Sequence, residues 1–525
     1  MAIQGRQDIT NVTINIGNST PFSQNIGSPL TTDADDRKQI SNYDAYEGLT
    51  QSGLDNYQQG DSIVFGTVIN NTFIVESGTT ITGSGLLVVN SGTIVNNSIT
   101  NTGTFLSLRD APYSIIPASV STSQDTATYN TNVLKQLFSN TKLGVSGSQI
   151  RHDTIYLPGY GFVINDTIII EPQIALRIQG GGGFGTVAYE AFYNQTDGAP
   201  NYGGNPCRPI WVGPSNKGMF VNKSAGTVID NINLQGRLFT STEYNNLLAH
   251  WAASGELLYK DEYAQFGLMT LNREADYAFG PGKIQSPRVA TFACQTGLIF
   301  GSGAITGDNA DESSFDYYSS QFCNVGFATR TQNAQLFNFG YFIPSSTKTG
   351  IYIEYGGNIH ITHAVAIAKN SVFCRLGDID VNTPLVHIDM LSVDNNFQSG
   401  LLFGALSHTA KANITIDTMF CANGIVTGLP LFDLMGSISL KIDSAFNLHE
   451  RCIKFTSVSG LNFNGSINNA RMKFVGNHNP NNLIHLGSTG TGYLTHRDCY
   501  NHSGVPFNSN RYSWTNGVQA NVTGF

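Results

Sequence analysis

A set of similar short segments in the second half of the chain constrains its fold more than any other feature. Asn358-Ile359-His360-Ile361-Thr362, Leu385-Val386-His387-Ile388-Asp389, Asn413-Ile414-Thr415-Ile416-Asp417 and Ser437-Ile438-Ser439-Leu440-Lys441 all alternate polar with apolar residues, and Gly460-Leu461-Asn462-Phe463-Asn464 is a weaker copy. Their leading apolar residues, Ile359, Val386, Ile414, Ile438 and Leu461, stand 27, 28, 24 and 23 residues apart. A polar turn and a second apolar run follow each of the first four, at Val372-Phe373, Leu401-Leu402-Phe403, Leu429-Pro430-Leu431-Phe432 and Cys452-Ile453-Lys454-Phe455.

Alternation of period two puts Ile359 and Ile361 on one face of a strand and His360 and Thr362 on the other. A single such strand cannot bury its apolar face. Stacked copies bury it continuously and pair each backbone with the coil above and below. Positions 359, 386, 414 and 438 are therefore expected to lie over one another. Asn324 with Gly326, Asn370, Asn395 with Asn396, and Asn423 with Gly424 precede the second runs and suit left-handed corners. Phe322, Phe373, Phe403 and Phe432 recur at coil positions and are expected to stack inside. The fold class is all-β, a right-handed parallel β-helix. No regular Leu-x-x-Leu-x-Leu pattern supports a leucine-rich repeat, and a β-sandwich has no such period.

Four regions are expected: a polar segment over 1–60, a small β-rich domain over 61–115, the β-helix over 120–500 and a closing cap over 501–525. Thr131 to Phe138 carries apolar residues at helical spacing and is a candidate capping helix. Thr240-Ser241-Thr242-Glu243 matches a capping box, with Tyr244, Leu247, Leu248 and Trp251 on one face behind it. This places a helical insertion, projecting from the coils, at about 237–287.

Charged residues make up 12% of the chain, against roughly 25% in an average domain. The hydrophobic fraction of 40% still allows a large core and argues against disorder. A net charge of −9 without a Lys/Arg cluster argues against nucleic acid as a partner. No apolar run reaches membrane-spanning length, and Met-Ala-Ile-Gln-Gly-Arg at the start does not resemble a signal peptide. The seven cysteines lack metal-ligand spacing and read as free, buried thiols. Gly180 to Gly185 has no Lys-Ser/Thr phosphate-loop signature and reads as a tight corner. No cofactor and no metal site is expected.

Leu134 to Phe138, Ile155 to Ile164 with its Leu-Pro-Gly turn, Ile168-Ile169-Ile170, and Leu176 to Gly182 follow in the order helix, turn, strand, strand, Gly-rich corner. This order resembles the opening of pectin-lyase-like β-helix proteins, especially the tailspikes and capsule depolymerases of bacterial viruses, over roughly 125–490. The resemblance implies a homotrimer whose amino-terminal region docks on other virion tail proteins. It further implies that the spike binds, and often cuts, host surface polysaccharide, and that it is made in the host cytoplasm and released by lysis. The fold hosts hydrolases, lyases and esterases alike. A β-helical bacterial adhesin fits less well, given the lack of a secretion signal.

Glycoside hydrolysis needs two carboxylates at about 5–5.5 Å for retention or about 6.5–9.5 Å for inversion. Coils stacked about 4.8 Å apart supply such spacings. Asp389 and Asp417 take equivalent places in consecutive units and are expected to stack as a like-charge pair. Asp316 and Glu354 point outward by alternation, and Asp311 and Glu312 belong to the densest acidic loop, from Gly307. All six are catalytic candidates, although solvated surface carboxylates or an acidic turn have the same appearance. His360 and His387 are expected to stack outward; with Arg375 they offer the base and cation of a lyase, or ordinary surface groups. Trp211, Trp251, Tyr259 and Tyr263 are candidate platforms for sugar rings, or core. A non-catalytic receptor-binding fibre would keep such platforms and lack a working carboxylate pair.

Overall fold

The structure, a computed structural model, describes most of residues 115–140, 154–181, 207–303, 309–422 and 431–448, together with short strands elsewhere. Residues 1–115 with 151–158 form a unit of their own. Within it, Thr67–Ile69 pairs antiparallel with Thr72–Val75, which pairs parallel with Thr93–Asn96. Ala2–Ile3 pairs parallel with Val88–Val89, and Phe105–Ser107 with Thr154–Leu157. Most of the rest of the expected regions 1–60 and 61–115 lies outside the described residues.

The second unit is a right-handed parallel β-helix. Successive strands alternate between two sheets, each pairing in parallel with the strand one coil on. Ile359–Ala366, Leu385–Val393, Lys411–Cys421 and Ser437–Leu448 follow one another in the first sheet. Thr349–Tyr355, Val372–Leu376, Leu401–Ala405 and Phe432–Met435 do so in the second. A connection that returns to the same sheet in parallel is right-handed by the twist of its strands. The sheets run on to Gln519–Thr523 and Tyr512–Trp514, so strands extend into the expected cap.

The register largely follows the repeat. Ile359 pairs with Val386 and Val386 with Ile414. The next step departs from expectation: Ile414 pairs with Leu440, and Ile438 with Ala412. Leu440 in turn pairs with Gly465, and Leu461 lies outside the described residues. A slip of two residues keeps every side chain on its own face, which is why alternation alone did not expose it.

Phe373, Phe403 and Phe432 stack inside as expected, the last two with rings 5.7 Å apart and 4° from parallel. Phe342 of the first sheet packs edge-on against Phe373 across the core, at 5.7 Å, and Phe322 does not join the file. Phe322 sits at a corner with φ 52. The corners also differ from the Asn/Gly expectation. Asn370 does adopt φ 50, but Ala293, Phe322 and Ser346 are left-handed at the preceding turns between the sheets, and Asn324 and Gly326 are not. Tertiary packing holds these residues where intrinsic preference would not. Asn395, Asn396, Asn423 and Gly424 lie outside the described residues. All five described cysteines are free and buried.

The capping helix spans Gln124–Asn140, longer than its apolar spacing indicated. Ser123 Oγ accepts from Thr126 N at its start. Its buried Asn130 donates to the carbonyls of Ile116 and Val163, closing off backbone groups at the end of the coils. The capping box of the second helix, Ser241–Ser254, is present as read: Thr240 accepts from Glu243 N and Glu243 accepts from Thr240 N.

Among the described residues that second segment is shorter than 237–287, and its helix does not project. Ala264–Thr270 and Ile284–Phe292 already belong to the sheets. Tyr244, Leu247 and Trp251 are buried against Phe239, Phe292, Phe322 and Ala368, so the helix lies along the row of corners. Gly255 caps it with φ 68, a left-handed conformation that costs glycine little. Lys348 donates to Gly255 O and Lys369 to Ala253 O, placing two cations at the negative end of the helix dipole.

Candidate functional site

Each long strand of the first sheet breaks its alternation once. Two consecutive residues face outward at Thr362-His363, Asp389-Met390 and Asp417-Thr418, where the strand bends. The bend widens the outer face into three adjacent files of side chains. The first file runs Asn338, His360, His387, Thr415, Lys441. The third runs Tyr317, Tyr341, His363, Met390. Between them stand Asp316, Gly340, Thr362, Asp389, Asp417 and Asp443.

The core holds these files in place. In His387-Ile388-Asp389 and Thr415-Ile416-Asp417, the isoleucine is fully buried and its neighbours point out. Each histidine then reaches the carboxylate two residues along on the next coil, a diagonal contact across paired strands. His360 Nε2 lies 2.8 Å from Asp389 Oδ1, and His387 Nε2 lies 3.1 Å from Asp417 Oδ2. His387 Nε2 is also 3.6 Å from Asp389 Oδ1. The two imidazoles are 5.1 Å apart. The expected stacking of His360 on His387 and of Asp389 over Asp417 is therefore present. The expected like-charge pair is not a bare one, because imidazoles alternate with the carboxylates. Further along, Lys441 meets Asp443 at 2.7 Å, and the two carboxylates Asp443 and Asp417 hold its ammonium above the usual range.

An aromatic shelf flanks this ladder. Tyr341 stacks on His363 with centroids 4.8 Å apart and 12° between planes, and Tyr317 follows at 6.3 Å from Tyr341. Tyr341 remains 48% exposed, so one ring face is open to a ligand. Burial pushes the Tyr317 hydroxyl up from its ordinary range.

The other candidates fall elsewhere. Asp316 is exposed in the ladder's file, three coils from Asp389, opposite Gly340 rather than a second carboxylate. Glu354 belongs to the second sheet, where Arg330 Nε holds it at 2.6 Å. Asp316 and Glu354 thus do not form a pair. Asp311 and Glu312 form a corner: Asp311 accepts from Gln335 N and Glu312 pairs with Lys283. Burial raises the Asp311 carboxyl from its ordinary range, against that backbone hydrogen bond. Arg375 also sits on the second sheet, with its guanidinium over the Tyr352 ring at 5.8 Å, away from the histidines.

The four aromatic candidates face inward or lie under a cation. Trp211 is 1% exposed and donates to Pro214 O. Trp251 packs edge-on against Phe322, and Tyr263 is fully buried with its hydroxyl donating to Leu258 O. Tyr259 lies beneath the Arg237 guanidinium at 4.6 Å. Trp251, Tyr259 and Tyr263 attach the helical segment to the coils, and no sugar ring can reach the buried three. The open rings, Tyr317 and Tyr341, escaped notice because strict alternation turns only one of each bend pair outward. The signal available was Phe315-Asp316-Tyr317 followed one coil later by Phe339-Gly340-Tyr341.

The fold and this face define a parallel β-helix carrying a solvent-facing ladder of imidazoles and carboxylates beside an aromatic shelf. No family model and no curated protein matches the chain. Among solved structures it is similar to DFA-IIIase from Arthrobacter chlorophenolicus A6, with a TM-score of 0.38, 12% identity, and coverage of 75% of this chain and 83% of that one. The same enzyme in complex with GF2 gives a TM-score of 0.37 and 12% identity, over 71% and 83% of the two chains. A likeness at this level assigns no residue and no reaction.

Proposed function

We propose that the chain is a polysaccharide-degrading tailspike of a bacterial virus. It lays host capsule, exopolysaccharide or lipopolysaccharide O-antigen along the outer face of the first sheet and hydrolyses it between Asp389 and Asp417. The observation that carries this reading is the alternation His360–Asp389–His387–Asp417 on one solvent-facing surface. Asp389 and Asp417 stand on neighbouring coils, about 4.8 Å apart along the stack, which suits a retaining pair better than an inverting one. One carboxyl protonates the departing glycosidic oxygen as the other attacks the anomeric carbon, and a water deprotonated by the first then releases the sugar from the second. His387, within reach of both, orients them. Tyr341 and Tyr317, two and three coils before Asp389, offer rings to the apolar faces of sugars on one side of the cut. The virion setting and a homotrimer joined to other tail proteins rest on the sequence resemblance over 125–490.

Purified full-length chain is incubated with capsule, exopolysaccharide and O-antigen from a panel of bacteria. New reducing ends with retained anomeric configuration by proton NMR are expected; binding without new ends would leave only a receptor-binding fibre. A second reading, polysaccharide lyase, draws on His360 and His387 as bases with Lys441 as the nearby cation. It predicts new ultraviolet absorbance from unsaturated uronates instead.

A further inference from the structure

We propose that His360, His387 and Asp389 form a binding site for one divalent transition-metal ion of the zinc class. His360 Nε2, His387 Nε2 and Asp389 Oδ1 all lie within 4.8 Å of one another. Two of their separations are 2.8 and 3.6 Å. A tetrahedral zinc with bonds of 2.0–2.1 Å places its ligand atoms about 3.3 Å apart. Closing the triangle around an ion therefore needs side-chain shifts of about 1 Å or less, within the freedom of half-exposed rings.

The backbone already does the positioning. His387 and Asp389 are separated by one buried residue on the same strand, and His360 pairs directly with His387 on the coil before. No loop has to close. Asp417 Oδ2 stands 3.1 Å from His387 Nε2 and is placed either to complete the shell or to hydrogen-bond a metal-bound water. The four side chains keep between 37% and 44% of their surface exposed, so an ion enters from solvent.

Two imidazoles with one carboxylate select zinc, nickel, cobalt or copper over calcium and magnesium, which favour all-oxygen shells. In the absence of metal the same atoms satisfy one another as hydrogen-bonded pairs. Binding exchanges those contacts for metal bonds and releases whatever protons they hold. An ion bound to Asp389 Oδ1 takes that oxygen out of proton transfer, so zinc inhibits cleavage. This last consequence rests on the hydrolytic reading above; binding itself does not.

The test uses the full-length chain. Isothermal titration with zinc chloride is expected to give one ion per chain, while calcium chloride gives no heat above dilution. Cobalt(II) is expected to give the intense visible bands of a tetrahedral site. His387→Gln should weaken zinc by at least about a hundredfold, since changing a residue that only hydrogen-bonds a ligand already weakens metal sites by about 10–100-fold. The His360→Gln/His387→Gln double variant should lose the cobalt bands, with far-ultraviolet circular dichroism unchanged. Should the double variant not fold, Asp389→Asn alone carries the test with the same expected loss. Equal zinc affinity and stoichiometry in the folded variants would overturn the proposal, and so would a wild-type chain that takes up no zinc. Zinc uptake by a chain that cleaves nothing removes the hydrolytic reading alone. Cleavage by a chain that takes up no zinc removes this inference alone.

Discussion

The outer face of the first sheet and the corner row under the helix Ser241–Ser254 use the same residue types to opposite ends. At the corner, Phe239, Tyr244, Trp251, Tyr263, Phe292 and Phe322 turn toward one another and exclude water. On the sheet face, Tyr317, Tyr341 and His363 stack in a file and leave Tyr341 open. A ring on an added helix needs a partner surface to keep the helix attached. A ring on a sheet already held by its ladder has no such duty and remains available to a ligand. Aromatic richness alone therefore pointed to rings that mostly pack inward.

This contrast predicts that corner variants change stability and face variants change chemistry. Trp251→Ala is expected to cost the most, about 3–5 kcal/mol, as for other large buried aromatics truncated to alanine. It should lower the thermal midpoint while the surviving folded fraction keeps its specific activity; an unchanged midpoint breaks the comparison. Asp417→Asn should reduce reducing-end release by about a hundredfold, equivalent to about 2.7 kcal/mol of barrier, with the thermal midpoint unmoved. A midpoint drop as large as that of Trp251→Ala would make the ladder structural. Tyr341→Ala should raise KM about tenfold with little change in kcat, consistent with about 0.5–1.5 kcal/mol for one ring contact. Thr240→Ala removes the helix cap and should cost about 1 kcal/mol, read as faster backbone hydrogen exchange over 241–254.

The smallest effect concerns pH. The Arg237 guanidinium, with Thr240 hydrogen bonds, holds Glu243 down to about 2 from an ordinary 4.5. A depressed carboxylate stabilises the fold fully above its unfolded value, and that contribution fades as pH falls through the folded one. The difference in thermal midpoint between wild type and Glu243→Gln should therefore be constant above pH 4.5 and close toward about pH 2. Glu243 keeps 30% of its side-chain surface, so the difference is small.

Much of this architecture was legible because alternation and spacing report directly on burial. Ile359, Val386 and Ile414 line up as their 27- and 28-residue spacings require, and that register alone set His360 beside His387 and Asp389 beside Asp417. What escaped the sequence depends on contacts between coils. The double outward step at Thr362-His363 and its counterparts breaks the period, and only the bend of the sheet explains it. The two-residue slip at Ile438 preserves facing and so leaves no trace in the pattern. Corner residues such as Phe322 and Ala293 carry no left-handed preference; the helix packed over them holds them there.

The lysines that grip the end of that helix come late in the chain. Lys369 and Asn370 hold Ala253 and Ser254 from 116 residues away in sequence. At about 5–20 residues per second, the ribosome makes the helix roughly 6–23 s before those groups. Over that interval Tyr244, Leu247 and Trp251 gain their cover in stages, from Phe292, then Phe322 and last Ala368. The nascent chain thus passes through a sticky stage fixed by translation speed, and slowing synthesis downstream of residue 254 lengthens it.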